Sequence, residues 1–161
     1  VGSGEARWEA YLKKLGSKYT NLHIQGQVPY ERMQSIITSG DISLIPSRYE
    51  TFSRTCAEAQ WFGLPVIASR ITGPTTIIDE NQTGLLVAPE DASSFVQSIL
   101  KLYYLKKNRP AEFLQMAENA SHRARERFAK ERIINMLEDM FKEQVSEHQK
   151  EQRQILSRIE P

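Results

Sequence analysis

The sequence has one cysteine, Cys56, among 161 residues. A single thiol excludes a disulfide framework and a cysteine-built zinc site. Neither sign of charge is in excess: Lys plus Arg is 21 and Asp plus Glu is 20, a formal +1. On charge alone that balance excludes a protein built to grip nucleic-acid phosphates. No apolar run approaches the roughly 18 residues that a membrane span needs. A signal peptide, an initiating Met, internal repeats and low-complexity linkers are all missing from the sequence. With 40% hydrophobic and 25% charged residues, the chain is too apolar for a disordered segment. Its length fits one domain whose core needs no staple. Val1 opens directly on an apolar–glycine string, so the chain is expected to start inside a larger protein.

What is present is an alternation of short apolar runs and amphipathic stretches. Val1–Gly4 reads as a strand end running into a glycine turn. Glu5 to Leu15 carries Trp8, Tyr11, Leu12 and Leu15 at helical spacing, and Gly16 is expected to stop that helix. Leu22–Ile24 reads as a strand, Tyr30–Thr38 as a helix and Asp41–Ile45 as a strand. Thr51–Phe62 reads as a helix that stops at Gly63, and Pro65–Ala68 as a buried strand. Gly73–Ile78 suggests one or two helical turns, and Leu85–Val87 the last strand. Pro89-Glu90-Asp91 starts a helix expected to turn Phe95, Val96, Ile99, Leu100 and Tyr103 inward. Strands separated by helices imply an α/β layer fold with a parallel sheet, whose ligands bind beyond the carboxyl ends of the strands. From Ala111 the chain is helical and charged. Its stripe Ile133, Ile134, Leu137, Met140, Phe141 and Val145 is expected to pack on the body, before a polar tail from about residue 146. The expected division is a core over 1–110 and a helical extension over 111–161.

The informative stretch runs from Pro46 to Ala59, between a strand end and a helix. Glu50 lies in the loop at the sheet's carboxyl edge. Glu58 follows after seven residues, about 80° round if both were helical. Between them, N–H groups of Phe52, Ser53 and Arg54 sit at a helix N-terminus, where the dipole presents about half a positive charge to an anion. The Arg54 guanidinium could fork onto a phosphate. Carboxylates accept hydrogen bonds from pairs of hydroxyls. An anion cradle flanked by two such carboxylates suits a sugar–phosphate ligand.

These residues resemble the C-terminal domain of retaining GT-B glycosyltransferases of family 4, the group 1 glycosyltransferases. Glu50-Thr51-Phe52-Ser53 followed by Glu58-Ala59 is similar to the family's Glu-x-Phe-Gly-x-x-x-x-Glu-Ala. Gly63-Leu64-Pro65-Val66-Ile67-Ala68-Ser69 and Thr83-Gly84-Leu85-Leu86-Val87 match two further strings. Val1–Gly4 and Gly26-Gln27-Val28 match earlier landmarks. The order and spacing of five strings carry the resemblance, which runs to about Val145.

The resemblance implies a Rossmann-like fold and transfer of a hexose from a nucleotide diphosphate sugar, with retention at the anomeric carbon. It implies that Glu50 grips hydroxyls of the transferred sugar and Glu58 the ribose. Thr51, Phe52, Ser53, Arg54 and Thr55 then form the loop and helix start that face the donor sugar and diphosphate. Val28 would lie beside the base, and Gly4 would open a helix. Catalysis would lie in stabilising the departing diphosphate, with Glu50 positioning rather than acting as a base. No metal or redox cofactor is implied. The implied partners are the donor and an N-terminal acceptor-binding domain, with no nucleic acid. The implied location is cytoplasmic, with attachment at the membrane through the other domain left open.

Three departures stand out. Ser53 replaces the usual Gly. Thr72-Gly73-Pro74-Thr75-Thr76 has one Gly where the family often has two, with Thr76 in a Glu position. The family's first strand and helix, with an Arg and a Lys for the diphosphate, would lie upstream of Val1. The chain alone is therefore expected to bind donor without turnover. A non-catalytic nucleotide-sugar-binding or scaffold module of the same fold is the alternative. Cys56 reads as a small buried hydrophobe and Phe52 as core as well as site. Trp8 and Trp61 read as core. His23, His122 and His148 share no ligand spacing.

Overall fold

A computed structural model describes residues 6–156, with side chains to Lys150. The apolar–glycine string of Val1–Gly4, and with it Gly4, lies outside the described residues. The chain divides into two compact units, Val1–Asp41 and Ile42–Pro161.

In the first unit, helix α1 spans Ala6–Lys18. It runs through Gly16 rather than stopping there, and the Leu15 carbonyl still accepts the N–H of Tyr19. Trp8 is 52% exposed, so it is not core, and its ring meets Tyr11 edge-on. Leu22–Ile24 forms no strand among the described residues. It pairs with no neighbouring strand there, and an extended segment without a ladder is only a loop. Tyr30–Thr38 opens with a 3-10 turn over Tyr30–Arg32 and continues as α2, Met33–Thr38. Met33, Ile36 and Ile37 are its half-buried residues.

The second unit holds a parallel sheet of β1 (Ser43–Ile45), β2 (Val66–Ser69) and β3 (Gly84–Val87), in that order. Leu44 stands opposite Ile67, and Ile67 opposite Leu85. All four residues of β2 are buried, as befits a central parallel strand covered on both faces. Helix α3 (Arg54–Trp61) packs on β1 and β2, and α5 (Ala92–Asn108) on β2 and β3. The short α4 (Thr72–Ile77) lies beside α3, and α6 (Pro110–Phe128) lies across both α3 and α5. This is a Rossmann-like sheet flanked by helices, with a long helical extension. That extension ends in α7, Lys130–Leu156.

The core gathers Ile67, Leu85, Val87, Leu102, Phe113 and Met116. Leu102 is fully buried, whereas Val96, Leu100 and Tyr103 are about half exposed. The inner face of α5 therefore runs through Phe95, Ile99 and Leu102, rotated from the expected stripe. Polar capping sets where α5 begins: Asp91 Oδ1 accepts the N–H of Ser94 at 3.0 Å. These bonds to Ser94, its hydroxyl first, hold the Asp91 carboxyl below its usual range. The α7 stripe is also misplaced by the sequence reading. Ile134, Leu137, Met140, Phe141 and Val145 are exposed and only Ile133 is half-buried. An amphipathic pattern shows that a face is apolar, not what covers it.

Candidate functional site

One backbone turn sets where the loop after β1 ends and α3 begins. Ser53 adopts the left-handed conformation, φ 64 and ψ 68. That turn breaks the expected helix, so α3 begins at Arg54 and Thr51–Ser53 stay outside it. Glu50 is a loop residue, as expected, four residues ahead of the first residue of α3. Left-handed backbone costs a non-glycine residue about 1–2 kcal/mol. The Ser53 carbonyl accepts the N–H groups of Cys56 and Ala57, which anchors the helix start. The Ser53 hydroxyl makes no cap bond and is buried without a partner. The N–H groups of Arg54 and Thr55 belong to the first turn, which has no intrahelical acceptors.

The far end of α3 is fixed as firmly. Gly63 stands at φ 79; its N–H bonds to the Gln60 carbonyl at 2.9 Å and that of Leu64 to the Ala59 carbonyl at 3.0 Å. This is a Schellman stop, and it needs the left-handed freedom of glycine. The buried Gln60 amide donates to the Thr83 hydroxyl at 2.8 Å, tying α3 to the segment before β3. Trp61 is half-buried, with the Arg125 guanidinium 5.3 Å above its ring.

Glu50 is half-buried, and Ser47 donates its hydroxyl to Glu50 Oε1 at 3.3 Å. The Glu50 carbonyl accepts the N–H of Gly73 at 2.9 Å. A Cβ on Gly73 would sit 2.9 Å from the carbonyl carbon of Phe52, closer than real contacts allow, so only glycine lets α4 reach this loop. Arg127 and Arg123 of α6 brace α4 in turn. Arg127 donates to the Thr76 carbonyl at 2.6 Å, and Arg123 pairs with Asp79 at 2.6 Å. Thr76 donates its hydroxyl to the Gly73 carbonyl. Phe52 is 47% exposed and meets Phe128 edge-on at 5.6 Å, so it is surface and packing at once.

Glu58 is 23% exposed and Arg54 78%, with Arg54 Nε 3.2 Å from Glu58 Oε1. Arg54 occupies the first position of α3, where a cation opposes the dipole by about 0.3–1 kcal/mol. An i,i+4 pair recovers about 0.3–0.5 kcal/mol, so the pair adds nothing net to the helix. Cys56 is fully buried, and burial, then the Glu50 charge, pushes its thiol from an ordinary 9.0 up to about 12. Such a thiol is packing material, not a nucleophile.

The second unit thus brings Glu50, Thr51, Phe52, Ser53, Arg54, Thr55 and Glu58 into one loop and two helical turns. Val28 lies half-buried in the first unit. Ser47 and Gly73, which hold Glu50 in place, fall within strings the sequence marks, Pro46–Ala59 and Thr72–Thr76, but nothing in the sequence links either to Glu50. The only sequence signals for them were a serine just past a strand end and a glycine inside a threonine-rich turn. Among the described residues no three of His, Cys, Asp and Glu gather as a metal site, and no helix is long and apolar enough to cross a membrane.

A parallel sheet flanked by helices, with a helix N-terminus beyond the end of β1, is Rossmann-like and consistent with one half of a GT-B fold. The chain belongs to the glycosyl transferases group 1, whose family model matches residues 1–104. Over 114 residues it is 32% identical to a D-inositol 3-phosphate glycosyltransferase of Corynebacterium urealyticum, covering 71% of this chain and 26% of that one. Over 77 residues it is 35% identical to an uncharacterized 41.2 kDa protein in the cps region of Klebsiella pneumoniae, covering 48% of this chain and 22% of that one. Among solved structures, sucrose-phosphate synthase from Thermosynechococcus elongatus superposes with a TM-score of 0.74 at 24% identity. That match covers 89% of this chain and 36% of the other. HepE of Anabaena in complex with UDP-glucose superposes at 0.70 and 20% identity, over 88% and 39%. The chain thus spans well under half of these relatives.

Proposed function

We propose that this chain binds the nucleotide diphosphate sugar for a retaining hexosyl transfer. The observation that carries the reading is the loop–helix junction at Ser53. It leaves a half-buried carboxylate in the loop after β1, first-turn N–H groups that have no intrahelical acceptors, and a second carboxylate one helical turn into α3. In this reading Glu50 accepts hydrogen bonds from the sugar and Glu58 from the ribose. The α3 N-terminus, with Thr51, Phe52, Ser53 and Thr55 around it, takes the diphosphate. As the glycosidic bond breaks, negative charge grows on the departing phosphate oxygen, and oriented N–H groups stabilise it without reorganising. Glu50 and Glu58 position the donor rather than move protons. Acceptor binding would belong to polypeptide outside this chain, which accords with its spanning a third of the solved relatives. A complex of HepE with UDP-glucose supports a uridine donor as the first to try.

Calorimetric titration of the chain with UDP and UDP-glucose, then the guanosine and adenosine pairs, tests the reading. Glu50→Ala should weaken the sugar nucleotide about tenfold and spare the bare diphosphate, since a hydrogen bond to a charged group is at stake. Glu58→Ala should weaken both. Failure of every nucleotide to bind would sink the proposal. Release of free diphosphate on adding simple acceptors would overturn the assignment of acceptor binding elsewhere, and the anomeric configuration of any product would test retention.

A further inference from the structure

The Arg54–Glu58 pair raises a question the donor reading leaves open. Arg54 stands at the start of α3, in the first turn where a cation works against the helix dipole, so the pair is not there for the helix. Its guanidinium is directed along the helix surface: Nε lies 3.2 Å from Glu58 Oε1. Glu58 is mostly buried while Arg54 is mostly exposed. The carboxylate therefore cannot swing freely, and its orientation depends on which of its oxygens is already engaged. With Oε1 tied to Nε, Oε2 is the oxygen left to accept from another donor.

We infer that Arg54 acts on the nucleotide through Glu58. It is a positioning residue that locks the carboxylate toward the ribose hydroxyls, not a direct ligand of the diphosphate. The inference rests on the ribose role proposed above for Glu58. It makes ribose recognition a property of a pair, so removing the guanidinium should mimic, in part, removing the hydroxyls from the ligand.

The test titrates the full chain with UDP and with 2′,3′-dideoxy-UDP, and with the guanosine or adenosine pair if that base binds better. The quantity read is the ratio of the two affinities. Arg54→Gln should cut that ratio by about three- to tenfold, almost entirely by weakening the ribonucleotide, because only a charge-assisted contact to the hydroxyls is disturbed. Arg54→Lys, which keeps a cation within reach of Oε1, should restore part of the ratio. Both variants should melt like the parent, since the side chain is exposed. An equal loss for both ligands in Arg54→Gln would overturn the inference in favour of direct phosphate contact. An unchanged ratio in Arg54→Gln beside a reduced ratio in Glu58→Gln would overturn it while leaving the donor reading intact. An unchanged ratio in Glu58→Gln would overturn the ribose role and this inference together.

Discussion

At the residue scale the departure of Ser53 from glycine has a measurable cost. Its left-handed backbone and unpartnered buried hydroxyl are both destabilising, and glycine would relieve both. Glycine adds freedom to the unfolded chain, which returns about 0.5–1 kcal/mol of that gain. Ser53→Gly should therefore stabilise the fold by something on the order of 1 kcal/mol, seen as a higher melting temperature; a fall would mean the hydroxyl has a partner. Cys56 gives a second expectation. With its folded pKa raised to about 12 from 9.0, the folded state keeps a proton that the unfolded state loses. Its contribution is whole below pH 9.0 and declines as pH rises toward 12, at up to roughly 1.4 kcal/mol per pH unit. Urea melts of the chain and of Cys56→Ala between pH 8 and 10.5 should diverge in that direction (about two pH units is enough). Parallel curves would contradict the assigned burial.

At the element scale the α5 face decides between two readings of one amphipathic pattern. Leu102→Ala empties a filled core position and should cost about 2–5 kcal/mol. Leu100→Ala, on a half-exposed side chain, should cost well under that. Denaturant midpoints would reverse if Leu100 faced inward. The three strands of the sheet and the existence of α3 were readable from sequence because buried parallel strands leave apolar runs bounded by glycine and proline, whereas the order of the strands was not. The α5 face was harder. Phe95 and Ile99 fit either stripe, and only packing against β2 and β3 selects the one that ends at Leu102. The α3 start was misjudged because Thr51–Ser53 have no residue that forbids a helix, and the left-handed turn at Ser53 is imposed by its setting. Glu50 and Glu58 were legible as a pair, while the Ser47 and Gly73 contacts depend on tertiary approach and left no local pattern.

At the scale of the whole molecule, two compact units meet in sequence at Asp41–Ile42. Thr38–Asp41 is exposed throughout, and exposed junctions with few contacts are where proteases cut first. Limited proteolysis should leave a resistant product beginning near Ile42, identified by its N-terminal sequence. Early cuts within α3 or β2 would contradict the division. The glycine at 73 also carries a consequence that reaches past its own contacts. Its backbone is a spacer of fixed thickness between α4 and the strand of chain bearing Glu50. In a saturation library scored for nucleotide-sugar binding, position 73 should tolerate nothing but glycine, although no ligand atom need ever touch it. The functional footprint drawn by such a map would then be wider than the chemistry, with its outline set by clearance rather than by recognition.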